Sequence, residues 1–495
     1  MGSQLFRTKS IHKLIAETVD DGKGLKRTLT AVNLIALGIG AIIGAGLFVR
    51  TAAAAANNAG PSVTLGFVIA GIGCAFAGLC YAEFASMIPV SGSAYTYSYA
   101  TMGELVAWII GWDLVLEYAL GAATVSIAWS EYLNKLLESF GARIPYQFCH
   151  SPFEVLKDAG GQVVAHGIMN IPALVIILIL TLLLIRGARE SSLVNGIIVI
   201  TKVTIVVLFI VLGWSFIKPA NHTPFIPAPS VFVDDQGVPH NFGGILGILG
   251  AAGVVFFAFI GFDAVSTAAQ ETKNPKKAMP IGILGSLVIC TVLYILFAYV
   301  LTGVASINDF RTAGKEASVA YAIQTYMTGY GWLAKLVTVA ILAGFSSVIL
   351  VMLYGQSRVF YSMSRDGLVP KVFSEIHPKF RTPYKSNILF FLFVGIFSCF
   401  VPQDIVGDMT SIGTLFAFIL VSAGVWIMRR THPGIQRQFR TPFVPLVPIL
   451  GIINCGAIVY GLGWANWMRL FVWMMIGFVV YFTYSIRKSN LRRKD

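Results

Sequence analysis

Gly38-Ile39-Gly40-Ala41-Ile42-Ile43-Gly44-Ala45-Gly46 sits inside a long apolar run, and a second interrupted run follows at Phe256-Phe257-Ala258-Phe259-Ile260-Gly261-Phe262-Asp263. In lipid, a spanning helix must satisfy its own backbone polar groups; where it breaks, protein, water or ligand has to take them over. Small residues also let membrane helices pack closely, so one glycine proves little. The pairing decides the reading. The two segments open two sets of five apolar spans, 30–218 and 242–429, as inverted repeats would, and point to a site where the breaks meet.

Composition agrees with a chain immersed in lipid. Of 495 residues, 56% are apolar and 12% charged, with a mean hydropathy of +0.76; a soluble domain carries roughly twice that charge. About 20 apolar residues cross a bilayer core. Spans are expected near 30–57, 61–89, 95–130, 168–186, 193–218, 242–271, 280–304, 330–362, 385–402, 408–429, 445–463 and 467–487. This gives an all-α integral membrane protein of twelve transmembrane helices. The net charge of +13 is unevenly placed. Most Lys and Arg residues fall in the two tails and alternate loops, which puts both termini in the cytoplasm.

The expected organisation is a cytoplasmic tail over 1–29, a first repeat over 30–218, an external loop over 219–241 and a second repeat over 242–429. A basic loop with two further helices fills 430–488, before a cytoplasmic tail over 489–495. Basic residues flank spans and form no continuous patch, so nucleic acid is not an expected partner. The basic run from Arg487 to Lys494 suits an anionic membrane face. Six scattered cysteines without a CxxC pair or a Cys/His cluster predict neither a disulfide framework nor a metal site. No phosphate-binding loop is present, so ATP and other cofactors are not expected. Facing pairs of catalytic groups are also missing, which speaks against an enzyme.

The motifs at these segments resemble the amino acid–polyamine–organocation superfamily, in particular its cationic amino acid transporter branch. The resemblance runs from Gly24-Leu25-Lys26-Arg27 through Gly38 to Val49, then Gly261-Phe262-Asp263-Ala264-Val265-Ser266-Thr267 with Glu271 and Asn274-Pro275. It continues in Arg365-Asp366-Gly367-Leu368-Val369-Pro370 and in His377-Pro378-Lys379-Phe380-Arg381-Thr382-Pro383. The chain is most similar to bacterial ApcT-type members, which are proton-coupled. That likeness implies a LeuT-type core of ten helices in two inverted repeats plus two peripheral helices, with alternating access around the first and sixth spans.

An amino acid offers a carboxylate and an ammonium. Backbone amides at the start of a half-helix suit the carboxylate, and Ile43, Gly44, Ala45 and Gly46 fit that role. The ammonium needs acceptors, which carbonyls at Ala41, Ile42, Phe257, Ala258 and Ile260 can supply. The resemblance makes Phe257 the aromatic gate over bound substrate. Lys202 lies deep in the fifth span, where a charge is expensive and marks function. Snorkelling to an interface is the bland alternative, disfavoured by its distance from both span ends. Lysine, unlike arginine, can give up its proton. By the resemblance its ammonium replaces the cation of sodium-coupled relatives, facing the carbonyls of Gly40 and Ile43 with Ser346 and Ser347. Asp263 and Glu117 are further candidates for proton coupling, while Glu83 is expected to have a structural partner near a loop.

The expected activity is proton-coupled import of L-amino acids, small neutral or cationic, across the plasma membrane. Partners are then the amino acid, protons and lipid, and by resemblance the unit is a monomer; a small accessory subunit stays open. An obligate amino-acid exchanger is the nearest alternative, and a transporter-like sensor the alternative of another class.

Overall fold

Thr30 opens the first helix with a capping box: its hydroxyl accepts from the Asn33 amide, and the Asn33 side chain accepts from the Thr30 amide at 3.0 Å. These reciprocal bonds satisfy donors that every helix start leaves open. Helix α1 (Ala31–Ile42) ends where Ile43 turns extended, at φ −76° and ψ 100°. The computed structural model describes residues 5–10, 14, 26–44, 46–138, 140–157, 162–233, 239–312, 319–461 and 464–491. Helical structure resumes as α2 (46–59) and continues through α3 (Val63–Met87), α4 (Ser93–Thr101) and α5 (Glu104–Glu138). Then come α6 (Ile171–Arg186), α7 (Ala188–Gly213) and α8 (Gly244–Phe256), with α9 (Phe262–Glu271) beyond a second break. The chain goes on through α10 (Pro275–Val304), short α11 (Ile307–Thr312) and α12 (Val319–Tyr326), and α13 (Gly331–Arg365). It closes with α14 (Tyr384–Phe400), α15 (Gln403–Thr431), α16 (Leu446–Gly461) and α17 (Trp464–Val480). The two-stranded hairpins are antiparallel.

Among the described residues, eight helical segments are long and apolar enough to cross a membrane, and four apolar helices are shorter, at Ala31–Ile42, Ile171–Arg186, Tyr384–Phe400 and Leu446–Tyr460. The third expected span, 95–130, is shifted. Gly103, at φ +99°, separates α4 from α5, and the long helix starts only at Glu104. A Cβ on Gly103 would lie 2.4 Å from the backbone of Phe6, so only glycine lets the N-terminal segment press there. The helix α5 also carries one wide turn, Val115–Leu120, around Glu117; such turns are frequent at functional sites.

Charges inside the bundle are paired near one end of the long helices. Glu83 accepts from Arg429 (2.8 Å) and from the Thr441 amide (2.7 Å), and pairs with Arg437, so the structural role expected of it has named partners. Arg358 on α13 pairs with Glu271 at the end of α9 at 3.0 Å, both fully buried. The Glu271 carbonyl also accepts from the amides of Thr28 and Leu29, lacing the start of α1 to α9. Glu271→Gln therefore removes the negative charge paired with a buried guanidinium. Removing one partner of a buried pair costs about 3–5 kcal/mol, so the variant should melt well below the parent in detergent; an unchanged melting point would show that the pair is dispensable.

At the other end, Arg311 lies between the Phe232 and Phe242 rings, at 4.1 and 4.5 Å, and its Nε donates to the Ala56 carbonyl. The hairpin of strands Ser230–Val233 and Pro239–Phe242 is thus fixed to α2. Trp112 and Trp473 stack at 4.8 Å and each donates its indole N–H to the other's carbonyl, holding α17 against α5.

Candidate substrate-binding site

The two breaks touch. After α1 the backbone is extended at Ile43, and helix resumes at Gly46. After α8, Phe257–Phe259 form a tight turn, Ile260 is extended and Gly261 takes φ +106°, a left-handed conformation that glycine adopts without strain. Gly46 is equally specific: a Cβ there would fall 2.2 Å from the Ala258 Cα. Both breaks therefore need a residue without a side chain where they cross.

Between them lies a cavity of about 20 Å³, room for about one water. Ala41, Ile42, Gly44 and Gly46 line it from the first break, and Phe257 and Ile260 from the second. Gly121 and Val125 of α5, Val348 and Met352 of α13 and Thr410 of α15 complete the wall. Phe257 is half-buried, with the Arg50 guanidinium 5.5 Å from its ring centre. Ala45 lies outside the described residues.

The carbonyls of Ile42 and Ala258, expected to face an ammonium, both accept from one hydroxyl in this structure. Tyr294 on α10 sits 2.7 Å from the Ile42 oxygen and 3.0 Å from the Ala258 oxygen. One hydroxyl has one proton, so at any instant one of the two carbonyls retains full acceptor capacity. The Phe257 carbonyl accepts from the Ile260 amide at 3.4 Å. Tyr294→Phe removes only the oxygen and keeps the ring against Phe67 and Phe259. The expected result is a tenfold rise in KM for uptake, equivalent to about 1.4 kcal/mol; an unchanged KM would separate Tyr294 from the site.

Lys202 is fully buried on α7, although Ile197 and Ile200 on the same helix are 61% and 70% exposed. The lysine faces the bundle while the aliphatic residues face outward. Its Nζ donates to the carbonyls of Gly40 (3.0 Å) and Ile43 (2.7 Å) and to the Ser347 hydroxyl (2.7 Å). Three donors meet three acceptors. The Ser347 hydroxyl itself lies 2.8 Å from the Gly40 oxygen. Ser346, expected beside the lysine, turns away and donates to the Leu342 carbonyl of its own helix. One residue along α13 rotates the side chain by about 100°, which is enough to miss the lysine.

Comparison with known proteins fits this geometry. The amino acid permease family matches the chain over residues 29–483. The chain belongs to the amino acid permease family. It is 44% identical over 493 residues to the branched-chain amino acid permease BcaP of Bacillus subtilis (strain 168), covering 100% of both chains. It is 40% identical over 492 residues to the methylthioribose transporter of the same organism, covering 99% of this chain and 100% of that one. With the chloroplastic cationic amino acid transporter 9 of Arabidopsis thaliana it shares 38% over 433 residues, 86% of this chain and 71% of the relative. The permease is an integral membrane transporter of the amino acid–polyamine–organocation superfamily, not an enzyme.

Asp113, Glu117 and Asp263 are further buried acids of the permease. Glu117 and Asp263 are fully buried with their carboxyl groups against one another, and Tyr118 donates to Asp263 at 2.5 Å. No donor reaches either Glu117 oxygen among the described residues. Two ionised carboxylates are acceptors only, so these neighbours can bond to one another only when one of them carries a proton. Asp113, one turn before Glu117, is buried and without a donor as well. Sequence reasoning passed over Asp113, Tyr294 and Arg358. Asp113 and Arg358 carried a usable signal, a charge within an apolar run; a tyrosine in a membrane helix carries none.

Proposed function

We propose that this permease is a proton-coupled symporter that imports neutral aliphatic L-amino acids across the plasma membrane by alternating access. In this reading the eight long segments and four shorter apolar helices make twelve spans, with each broken helix counted once. They follow the LeuT-type plan of two inverted five-helix repeats and two peripheral helices, with both termini cytoplasmic. The arrangement of Lys202 carries the proposal. Its ammonium holds two carbonyls freed by the first break and the Ser347 hydroxyl of α13. When protonated it ties α1, α7 and α13 together; losing the proton removes one donor and the charge, and loosens the hold on the first break.

Substrate would lie between the breaks, its carboxylate toward the amides around Gly44 and Gly46 and its ammonium toward carbonyls of both breaks. Phe257 closes over it, and Glu117 with Asp263 provide a second place for a proton. A neutral aliphatic side chain suits the remaining wall, Gly121, Val125, Ile260, Val348, Met352 and Thr410. No carboxylate lines the cavity among the described residues, which disfavours a lysine or arginine side chain. The name of the branched-chain permease relative supports the same choice.

The test is uptake of radiolabelled leucine into proteoliposomes under an inward proton gradient. Uptake should collapse with a protonophore and be competed by isoleucine and valine but not by arginine. Dominant competition by arginine would overturn the substrate class. Uptake that ignores the gradient and requires internal amino acid would replace symport with exchange.

A further inference from the structure

Asn195 lies on α7 seven residues before Lys202, two helical turns away on the same face. It is 1% exposed. Its Nδ2 donates to the Ala36 carbonyl at 3.0 Å. Ala36 is four residues before Gly40, whose carbonyl Lys202 holds. The carbonyls of Ala36, Gly40 and Ile43 form one stripe along α1, and α7 grips all three with two side chains.

The second grip depends on Gly40. A Cβ there would sit 2.4 Å from the Asn195 Oδ1 and 2.8 Å from its Nδ2, so the amide lies where any larger residue would stand. The orientation of the amide is fixed as well. Turning it would set its oxygen against the Ala36 oxygen, two acceptors in contact. The Oδ1 has no donor among the described residues although it is buried. A buried unsatisfied amide oxygen is unfavourable by about 1–3 kcal/mol. The arrangement with α1 seated on α7 is therefore held at one end and under-satisfied at the other, and motion of α1 away from α7 would let water reach that oxygen.

We propose that Asn195 is a positioning residue for coupling, the charge-independent half of a two-point latch whose charged half is Lys202. This rests on the proposed proton-coupled reading. Lys202 responds to its proton; Asn195 does not. With both in place, loss of the proton alone leaves the half-helix seated until the Asn195 bond also yields, which prevents α1 from opening without substrate. Removing Asn195 leaves a latch that opens too readily. Exchange of amino acid continues, while the gradient no longer drives accumulation efficiently.

The experiment compares parent, Asn195→Ala, Gly40→Ala and the double variant Gly40→Ala/Asn195→Ala in proteoliposomes. Proton-driven leucine accumulation and leucine counterflow at equal pH are measured side by side. Asn195→Ala should lose at least fivefold in accumulation and keep counterflow within twofold. Gly40→Ala should lose both, because its methyl group displaces the amide, and the double variant should regain counterflow. Equal accumulation by Asn195→Ala and parent would overturn the latch, as would a double variant no better than Gly40→Ala. Should the parent itself accumulate no leucine on a proton gradient, it is the proposed symport that fails; counterflow restored in the double variant would then still assign Asn195 its contact with Gly40.

Discussion

Lys202→Ala abolishes proton-driven accumulation, lowering it by at least a hundredfold, while amino-acid exchange at equal pH persists. The ammonium makes three hydrogen bonds, two of them to carbonyls that the first break leaves without helical partners. Hydrogen bonds to charged groups contribute about 1.5–3 kcal/mol each, so alanine removes the main tie between α1 and α7. What is lost is the difference between the protonated and deprotonated states, and with it the means by which a gradient can act. Lys202→Arg separates this from simple loss of a contact. Arginine keeps the charge and cannot give up its proton, so it should hold the latch shut and lose exchange as well. Exchange that survives in the arginine variant, or accumulation that survives in the alanine variant, would remove Lys202 from the coupling step. Both are read from tracer uptake by monodisperse protein.

Gly46→Ala removes transport by a similar factor for a steric reason. The added methyl would stand 2.2 Å from the Ala258 Cα and 2.7 Å from its amide nitrogen. These are backbone atoms of the second break, fixed by the turn at Phe257–Phe259 and by Gly261. No rotamer change relieves the contact, so the two breaks must part and the cavity between them loses its shape. Overpacking of this kind typically costs 1–3 kcal/mol. The folded protein should survive with a modest fall in melting temperature, while leucine-induced thermal stabilisation disappears. Retained stabilisation and uptake would mean that the breaks do not form the site.

Much of this arrangement is legible in the sequence alone. The glycine pattern at Gly38–Gly46 and the interruption at Gly261 are backbone features written directly in residue type, and they located both breaks. Lys202 stood out because a charge within a span is rare, and Gly40, Ile43 and Ser347 followed from the resemblance. Other details depended on helix phase, which sequence gives only approximately. Ser346 and Ser347 are adjacent, and only the second faces the lysine. The start of the third span was misplaced because Ser93–Thr101 is helical and buried yet separated from α5 by Gly103. Tyr294 and Asn195 could not be singled out, since their roles come from the carbonyls they meet, at Ile42, Ala258 and Ala36. Long-range contacts of this kind leave no local signature in the chain.

The central claim is that a proton enters with the amino acid. The direct measurement uses proteoliposomes loaded with a pH-sensitive dye, no initial pH difference, the membrane potential clamped, and leucine added outside. Acidification of the lumen in fixed ratio to labelled leucine uptake, absent in Lys202→Ala, is the predicted result; leucine entry with no acidification in the parent contradicts it.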